Sequence, residues 1–333
     1  MKYTIFPRSG QSLSKLGYGA MGLGGHFGNY DDAYMIQSVL TALENGVNVI
    51  DTARAYGRSE ELVGKALKEW KGERPFVASK VLPTWISDPS YPVMSGWHHP
   101  APVELVYPPG SIRASTEESL RQMNLDTIDL IQMHNYWPMW DTIDYWMEEL
   151  LQLKEEGKVR FIGISVPDHR PEVVISLVRS GVIDSVQVLL NIFDPLALDC
   201  LVPICQHHDV AVMARIILDE GGLTGFLQED TQFPTNDFRN KYFDVLPRPI
   251  YIEKVDRLRE FIPANADNLA ELAIKFAIHH PGVTTALTSM QVHEYAQANI
   301  ASIDKPDLSH EVFKELQVKH RWIRNFYQAR RHV

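Results

Sequence analysis

The chain has 333 residues, of which 45% are hydrophobic and 22% charged, with every aromatic type present; it can bury a sizeable core and is neither disordered nor fibrous. A formal net charge of -10, with lysines and arginines scattered rather than clustered, argues against a nucleic-acid partner. The opening "MKYTIFPRSG" has no signal-peptide apolar core and no apolar run is long enough to span a bilayer, so the expectation is a cytoplasmic protein without a membrane partner.

In chain order, "KYTIFPRSGQSLSKLG" reads as a small hairpin that caps the bottom of the main fold. Short apolar or β-branched runs then recur at 15–21, 47–51, 75–80, 128–134, 160–166, 185–190, 210–215 and 283–288. Helix-period segments separate most of them, among them "DAYMIQSVLTALENG", "SEELVGKALKEW", "STEESLRQM", "IDYWMEELLQLKEEGKV" and "PEVVISLVRSG", several closed by a glycine. Strands that are apolar throughout are covered on both faces, the mark of a parallel sheet, and eight such units close into a (β/α)8 barrel, an α/β fold. Length alone would allow two domains, but the unbroken rhythm predicts one barrel domain over 1–333. Two long connections, 81–112 and 216–255, are candidates for the walls of a binding pocket.

In such barrels chemistry collects at the C-terminal ends of the strands. Here the second strand ends in Asp51, the third in Lys80 and the fourth in His134, with Tyr56 just beyond the second. A tyrosine that exchanges a proton near neutrality needs its phenolate stabilised, because its reference pKa is about 10. Lys80 supplies a cation for that purpose, Asp51 holds Lys80 protonated, and His134 orients a substrate oxygen. The set predicts a lowered Tyr56 pKa and proton transfer to a carbonyl/alcohol pair.

The stretches "LGYGAMGLGG", "ALENGVNVIDTARAYGRSEELVGKAL", "FVASKV", "SIRASTEESLRQMNLDTIDLIQMH", "LLQLKEEGKVRFIGIS", "VQVLLNIFDP", "GGLTG" and "LAIKFAIHHPGVTTAL" resemble the aldo-keto reductases over nearly the whole chain. That resemblance implies an NAD(P)-dependent oxidoreductase whose tetrad is Asp51, Tyr56, Lys80 and His134, with Tyr56 as acid in reduction and base in oxidation. It also implies that Gly19, Ala20 and Met21 flank the cofactor, that Ser165 and Gln187 bind the nicotinamide carboxamide, and that Arg215 stacks on the nicotinamide ring. Leu218, Gly222 and Thr224 belong to the loop crossing the pyrophosphate, Ser289 to the phosphate end and Asn299 to the adenine end. Four positions depart from the family pattern. Val166 replaces an asparagine beside the carboxamide, Thr288 and Ser289 stand where a Pro-Gly or Pro-Lys pair is usual, and Tyr295 replaces an arginine. Loss of that lysine and arginine removes the cations that would hold the extra phosphate of NADP, which leans the expectation toward NAD.

Other features have bland readings. The pairs His98-His99, His207-His208 and His279-His280 point their side chains apart and predict no metal site, although the helix dipole at His279-His280 favours a cation. Cys200 and Cys205 are too few for a disulfide framework and read as buried thiols. The early glycines lack the strand–turn–helix context of a dinucleotide-binding fingerprint. Trp85, Trp97, His98 and Trp137, together with Trp140, are candidates for a pocket mouth that stacks on a sugar ring, and the "GGLTG" and "SEELVGKAL" blocks resemble the branch with sugar and general aldehyde enzymes. A sugar or related aldehyde is therefore the expected substrate; the alternative is a cofactor-binding, redox-sensing subunit with little turnover.

Overall fold

The computed structural model describes residues 1–28, 30–84, 100–244 and 247–323. Strands β1 (Tyr3–Ile5) and β2 (Ser12–Ser14) pair antiparallel. Among the described residues, eight further strands run parallel: β3 (Leu16–Gly19), β4 (Val49–Asp51), β5 (Phe76–Lys80), β6 (Ile128–Met133), β7 (Val159–Ser165), β8 (Ser185–Leu189), β9 (Ala211–Arg215) and β10 (Thr285–Ser289). They close in sequence order, with β10 sealing against β3. The (β/α)8 barrel expected from the apolar runs is the observed fold.

Local chemistry sets the helix ends. Asp31 accepts the backbone N–H of Tyr34 at 2.9 Å to start the helix Asp32–Glu44, and Asn268 does the same for Leu269–His279 by accepting from Glu271. The segment expected as one helix from Pro171 opens as a 3-10 turn, Pro171–Val174, before the helix Ile175–Ser180. The 216–255 connection is not a bare loop: it carries a 3-10 turn at Gly222–Thr224 and helices Arg239–Asp244 and Arg248–Arg257.

Side chains alternate across a strand, so each barrel strand has one set facing the axis and one facing the helices. On β5, Val77 packs into the outer core while Phe76 and Ala78 belong to the inner one, which places Lys80 on the inner face too. The inner core also holds Val49, Leu130, Ala211, Met213 and Leu287. Two residues further along their strands, on that same face, come Asp51, Gln132 and Arg215. The barrel interior is therefore apolar low down and polar at its C-terminal mouth.

The hairpin does cap the bottom. Phe6 and Leu13 join the inner core, with the Phe6 ring 5.3 Å from Phe76 and 4.8 Å from Phe161. Truncating Phe6 to alanine opens the base of this layer, where a lost buried aromatic costs roughly 3–5 kcal/mol. We expect Phe6→Ala to lower the denaturation midpoint accordingly while leaving cofactor affinity unchanged, since the mouth lies at the other end; equilibrium unfolding and a binding titration check both.

Candidate active site

The four side chains singled out at strand ends converge. Lys80 Nζ, fully buried, donates to Asp51 Oδ1 at 2.5 Å and to the Thr52 carbonyl at 2.9 Å. The same ammonium lies 4.8 Å from the centroid of the half-buried Tyr56 ring. His134 meets Tyr56 edge-on, ring centroids 5.6 Å apart, and His26 flanks Tyr56 at 6.0 Å. The Tyr56 turn is itself braced: Thr52 and Ser59 share a hydroxyl contact of 2.8 Å, Ser59 Oγ donates to the Ala20 carbonyl, and the buried Glu60 accepts from Ser79 and Arg54. Gly24 is required there, because a Cβ on it would lie 2.1 Å from the Tyr56 carbonyl oxygen.

The electrostatics correct one expectation. Burial raises the Tyr56 pKa above its ordinary value; Lys80 and Arg215 pull it down and Asp51 pushes it up, so the net shift is upward rather than downward. Burial also opposes the Lys80 ammonium, but Asp51 and then Tyr56 outweigh it and hold Lys80 charged. Burial drives His134 well below the usual histidine value, helped by the charges of Lys80 and Arg215, and leaves it neutral. The site thus holds a protonated phenol, an ammonium and an uncharged imidazole side by side, which suits donation of a proton to a developing alkoxide.

Arg215, at the end of β9, is held by Asp168 at 2.6 Å and by the Val166 carbonyl at 2.8 Å. After it the backbone curls over the mouth through left-handed residues at Ile216, Asp219, Glu220 and Gly221. A β-branched residue adopts that conformation only when its surroundings impose it. The buried Asp219 does so, accepting the hydroxyls of Tyr242 at 2.5 Å and Tyr251 at 2.7 Å, while Asn191 Nδ2 donates to the Ile216 carbonyl. A Cβ at Gly222 would fall 1.9 Å from the Tyr251 hydroxyl. The same connection reaches across to the first loop, where Phe238 N–H donates to the His26 carbonyl at 3.0 Å.

Residues 15–320 match the model of the aldo/keto reductase family. The chain belongs to that family. It is 28% identical over 295 residues to an aldo-keto reductase of Bacillus subtilis, YhdN, covering 86% of this chain and 84% of the relative. It is likewise 28% identical over 305 residues to the NADH-specific methylglyoxal reductase of Escherichia coli, covering 88% and 90%. Among solved structures it superposes on the glycerol dehydrogenase AKR11B4 of Gluconobacter oxydans with a TM-score of 0.74 at 25% identity, covering 96% of each chain. As a member of this family the chain is an NAD(P)-dependent oxidoreductase of small carbonyl compounds.

The residues at the mouth of this aldo-keto reductase fit such a cofactor. Ser289 pairs in register with Gly19, and Ala20 and Met21 follow in a 3-10 turn. Buried polar atoms without a protein partner among the described residues include Thr288 Oγ1 and Gln291 Oε1, on either side of Ser289 in the chain, and Arg215 Nε at the end of β9. Ser165 ends β7 beside Gln187 of β8, and Leu218, Gly222 and Thr224 lie in the curled loop. Asn299 is buried in the helix His293–Ile303. Gln187, however, donates to Asp51 Oδ2 at 2.8 Å, a contact the resemblance did not imply.

Of the pocket-mouth candidates, Trp85, Trp97 and His98 lie outside the described residues. Trp137 is 1% exposed, with the Arg170 guanidinium 5.9 Å from its ring; Trp140 is buried and packs against Tyr107, Tyr136 and Trp146. Trp140, enclosed by three aromatic rings, presents no face to a sugar ring. The dipole expectation at His279-His280 is opposed by burial, which lowers both pKa values; His279 also stacks on Phe313 at 4.3 Å. Cys205 is buried and its thiol is pushed up to about 12 by burial, whereas Cys200 is only half-buried. Among the described residues no group of three metal-ligating side chains gathers, and no helix is long and apolar enough to cross a membrane. Sequence reasoning missed His26, Gln132, Asp168 and Glu220. Gln132 carried a signal, being an amide in an apolar strand two residues before His134 and so on the same face.

Glu220 stands out electrically. Burial, followed by the charges of Asp219 and Asp168, pushes its carboxyl up to about 8, with Arg215 and Arg239 opposing. Between the ordinary glutamate range, about 4.3, and that value the folded chain keeps a proton that the unfolded chain releases. Its stabilising contribution is therefore whole at low pH and is lost as the pH rises through this window. Glu220→Gln should flatten the corresponding fall in unfolding free energy between about pH 5 and pH 8; denaturant titrations at several pH values test this, and an unchanged slope would contradict it.

Proposed function

We propose that the chain, acting as one barrel unit, interconverts the carbonyl and alcohol forms of a sugar or related small hydroxylated aldehyde using NAD(H), with Asp51, Tyr56, Lys80 and His134 as its reacting and supporting groups. The carrying observation is the buried Lys80–Asp51 pair set against Tyr56. Two buried charges are costly to assemble, and here they serve a phenol that faces the barrel mouth.

In reduction, Tyr56 donates its proton to the carbonyl oxygen as negative charge develops there, and the adjacent Lys80 ammonium stabilises the phenolate left behind. Neutral His134 orients that oxygen with a ring nitrogen. Asp51 keeps Lys80 charged and in place. The nicotinamide, when bound, supplies the hydride in reduction and takes it in oxidation. Ser165 and Gln187 would hold its carboxamide, Arg215 its ring, and Leu218, Gly222 and Thr224 its pyrophosphate.

The names of two relatives support the substrate class, since glycerol and methylglyoxal are both small and carry oxygens on adjacent carbons. The polar rim, with the Arg215–Asp168 ion pair and the protonated Glu220 carboxyl, suits such a polar molecule better than an apolar aldehyde. NAD rather than NADP is supported by the stretch from Thr288 to Asn299, which holds Glu294 and no lysine or arginine. A 2′-phosphate would forgo the charge-assisted hydrogen bonds, about 1.5–3 kcal/mol each, that a cation provides.

Purified protein assayed with NAD and NADP against aldoses, polyols and small hydroxyaldehydes, read by absorbance of the reduced nicotinamide, is the test. We expect kcat/KM with NAD to exceed that with NADP by roughly tenfold or more, as loss of one such bond implies. Tyr56→Phe should lower kcat by at least about 100-fold, the usual contribution of a general acid, while leaving NAD affinity intact. Because the Tyr56 phenol is protonated at neutral pH, reduction should be flat there and alcohol oxidation should rise with pH. Full turnover by Tyr56→Phe would overturn the mechanism, and tight NAD binding with no turnover on any of these substrates would favour a redox-sensing subunit instead.

A further inference from the structure

The polar layer at the barrel mouth contains an amide that the tetrad does not include. Asp51 Oδ2 accepts from Gln187 Nε2 at 2.8 Å and from Gln132 Nε2 at 3.2 Å, while Gln187 Nε2 also lies 3.3 Å from Gln132 Oε1. All three side chains are buried and come from alternate strands, β4, β6 and β8. A carboxylate only accepts, so both amides must turn their NH2 groups toward Asp51. Gln132 then offers its carbonyl to the second N–H of Gln187. The orientation of each amide is thereby fixed by the other and by the carboxylate, and the Gln187 carbonyl is turned away from Asp51.

We infer that Gln132 is a positioning residue that locks the Gln187 amide with its carbonyl oxygen available to the NH2 group of the nicotinamide carboxamide, and in the same contacts holds Asp51 against Lys80. The inference rests on the function proposed above. Reversing the Gln187 amide would set its oxygen against both Asp51 Oδ2 and Gln132 Oε1 and would strand its buried NH2, a penalty that Gln132 enlarges. A single network then runs from Tyr56 through Lys80, Asp51 and Gln187 toward the cofactor, with Gln132 bracing it from β6. Removing Gln132 loosens both ends of that network without removing any group that touches substrate.

Two variants read this out. Gln132→Met keeps the length of the side chain and removes donor and acceptor; it should weaken NAD binding, measured by calorimetry, about fivefold and lower kcat about tenfold, the effect of a lost buried hydrogen bond. Gln132→Glu keeps the shape and can donate to Asp51 only while protonated, so its NAD affinity relative to the unaltered protein should be near normal at low pH and fall as the new carboxyl ionises. In a double-mutant cycle, Gln132→Met and Gln187→Leu should be non-additive in NAD affinity. Gln132→Met with unaltered affinity and kcat, or Gln132→Glu with a flat relative affinity across pH, would overturn the inference. If Gln132→Met does not fold, the Gln132→Glu titration decides alone. Should Tyr56→Phe abolish turnover while both Gln132 variants behave as the parent, only this inference fails; should Tyr56→Phe retain turnover, the functional reading fails with it.

Discussion

The constraint on which the rest of the structure depends is the buried ion pair of Lys80 and Asp51. Taking two charges out of water costs several kcal/mol per ion, and their mutual attraction offsets that only if the remaining hydrogen-bonding capacity is also satisfied. The barrel meets this condition from three directions: the Thr52 carbonyl on Lys80, and Gln132 and Gln187 on Asp51. The upper interior layer must therefore be polar. Stability has to come from the layers below it and from the outer core, which explains why the interior beneath is largely apolar and why Phe6 closes it from the bottom.

The same pair organises the mouth. Tyr56 stays close to the ammonium only because its turn is pinned by Ser59, Glu60 and the close approach of Gly24. The connection after β9 is held in a strained curl by Asp219 and its two tyrosines, and docks on the first loop through Phe238 and His26. Cation, phenol and cofactor-side residues are thus presented on one rim by elements far apart in the chain, as barrel enzymes generally arrange their chemistry.

Much of this was legible in the sequence. The barrel followed from strands that are apolar on both faces, and the convergence of Asp51, Tyr56, Lys80 and His134 followed from their places at strand ends. What was not legible depended on depth. Sequence shows that a lysine stands beside a tyrosine but not how much water is lost around them, and desolvation set the sign of the Tyr56 shift. Likewise Trp140 comes just after a strand end that faces the mouth, yet its ring packs among Tyr107, Tyr136 and Trp146. The helix dipole at His279 favours a cation, but burial outweighs it. Gln132 was within reach of period-two reasoning, since it shares the inner face with His134; the raised pKa of Glu220 was not, because it comes first from burial, then from the charges of Asp219 and, from another loop, Asp168.

The most direct test of the central claim is the titration of Tyr56 itself, followed by NMR of isotope-labelled tyrosine Cζ and assigned with Tyr56→Phe, in the parent protein and in Lys80→Met. The account predicts that Tyr56 titrates at distinctly higher pH once Lys80 is lost, because the ammonium is what restrains the upward pull of burial and of Asp51. An unchanged Tyr56 titration in Lys80→Met would show that the buried pair does not govern the phenol.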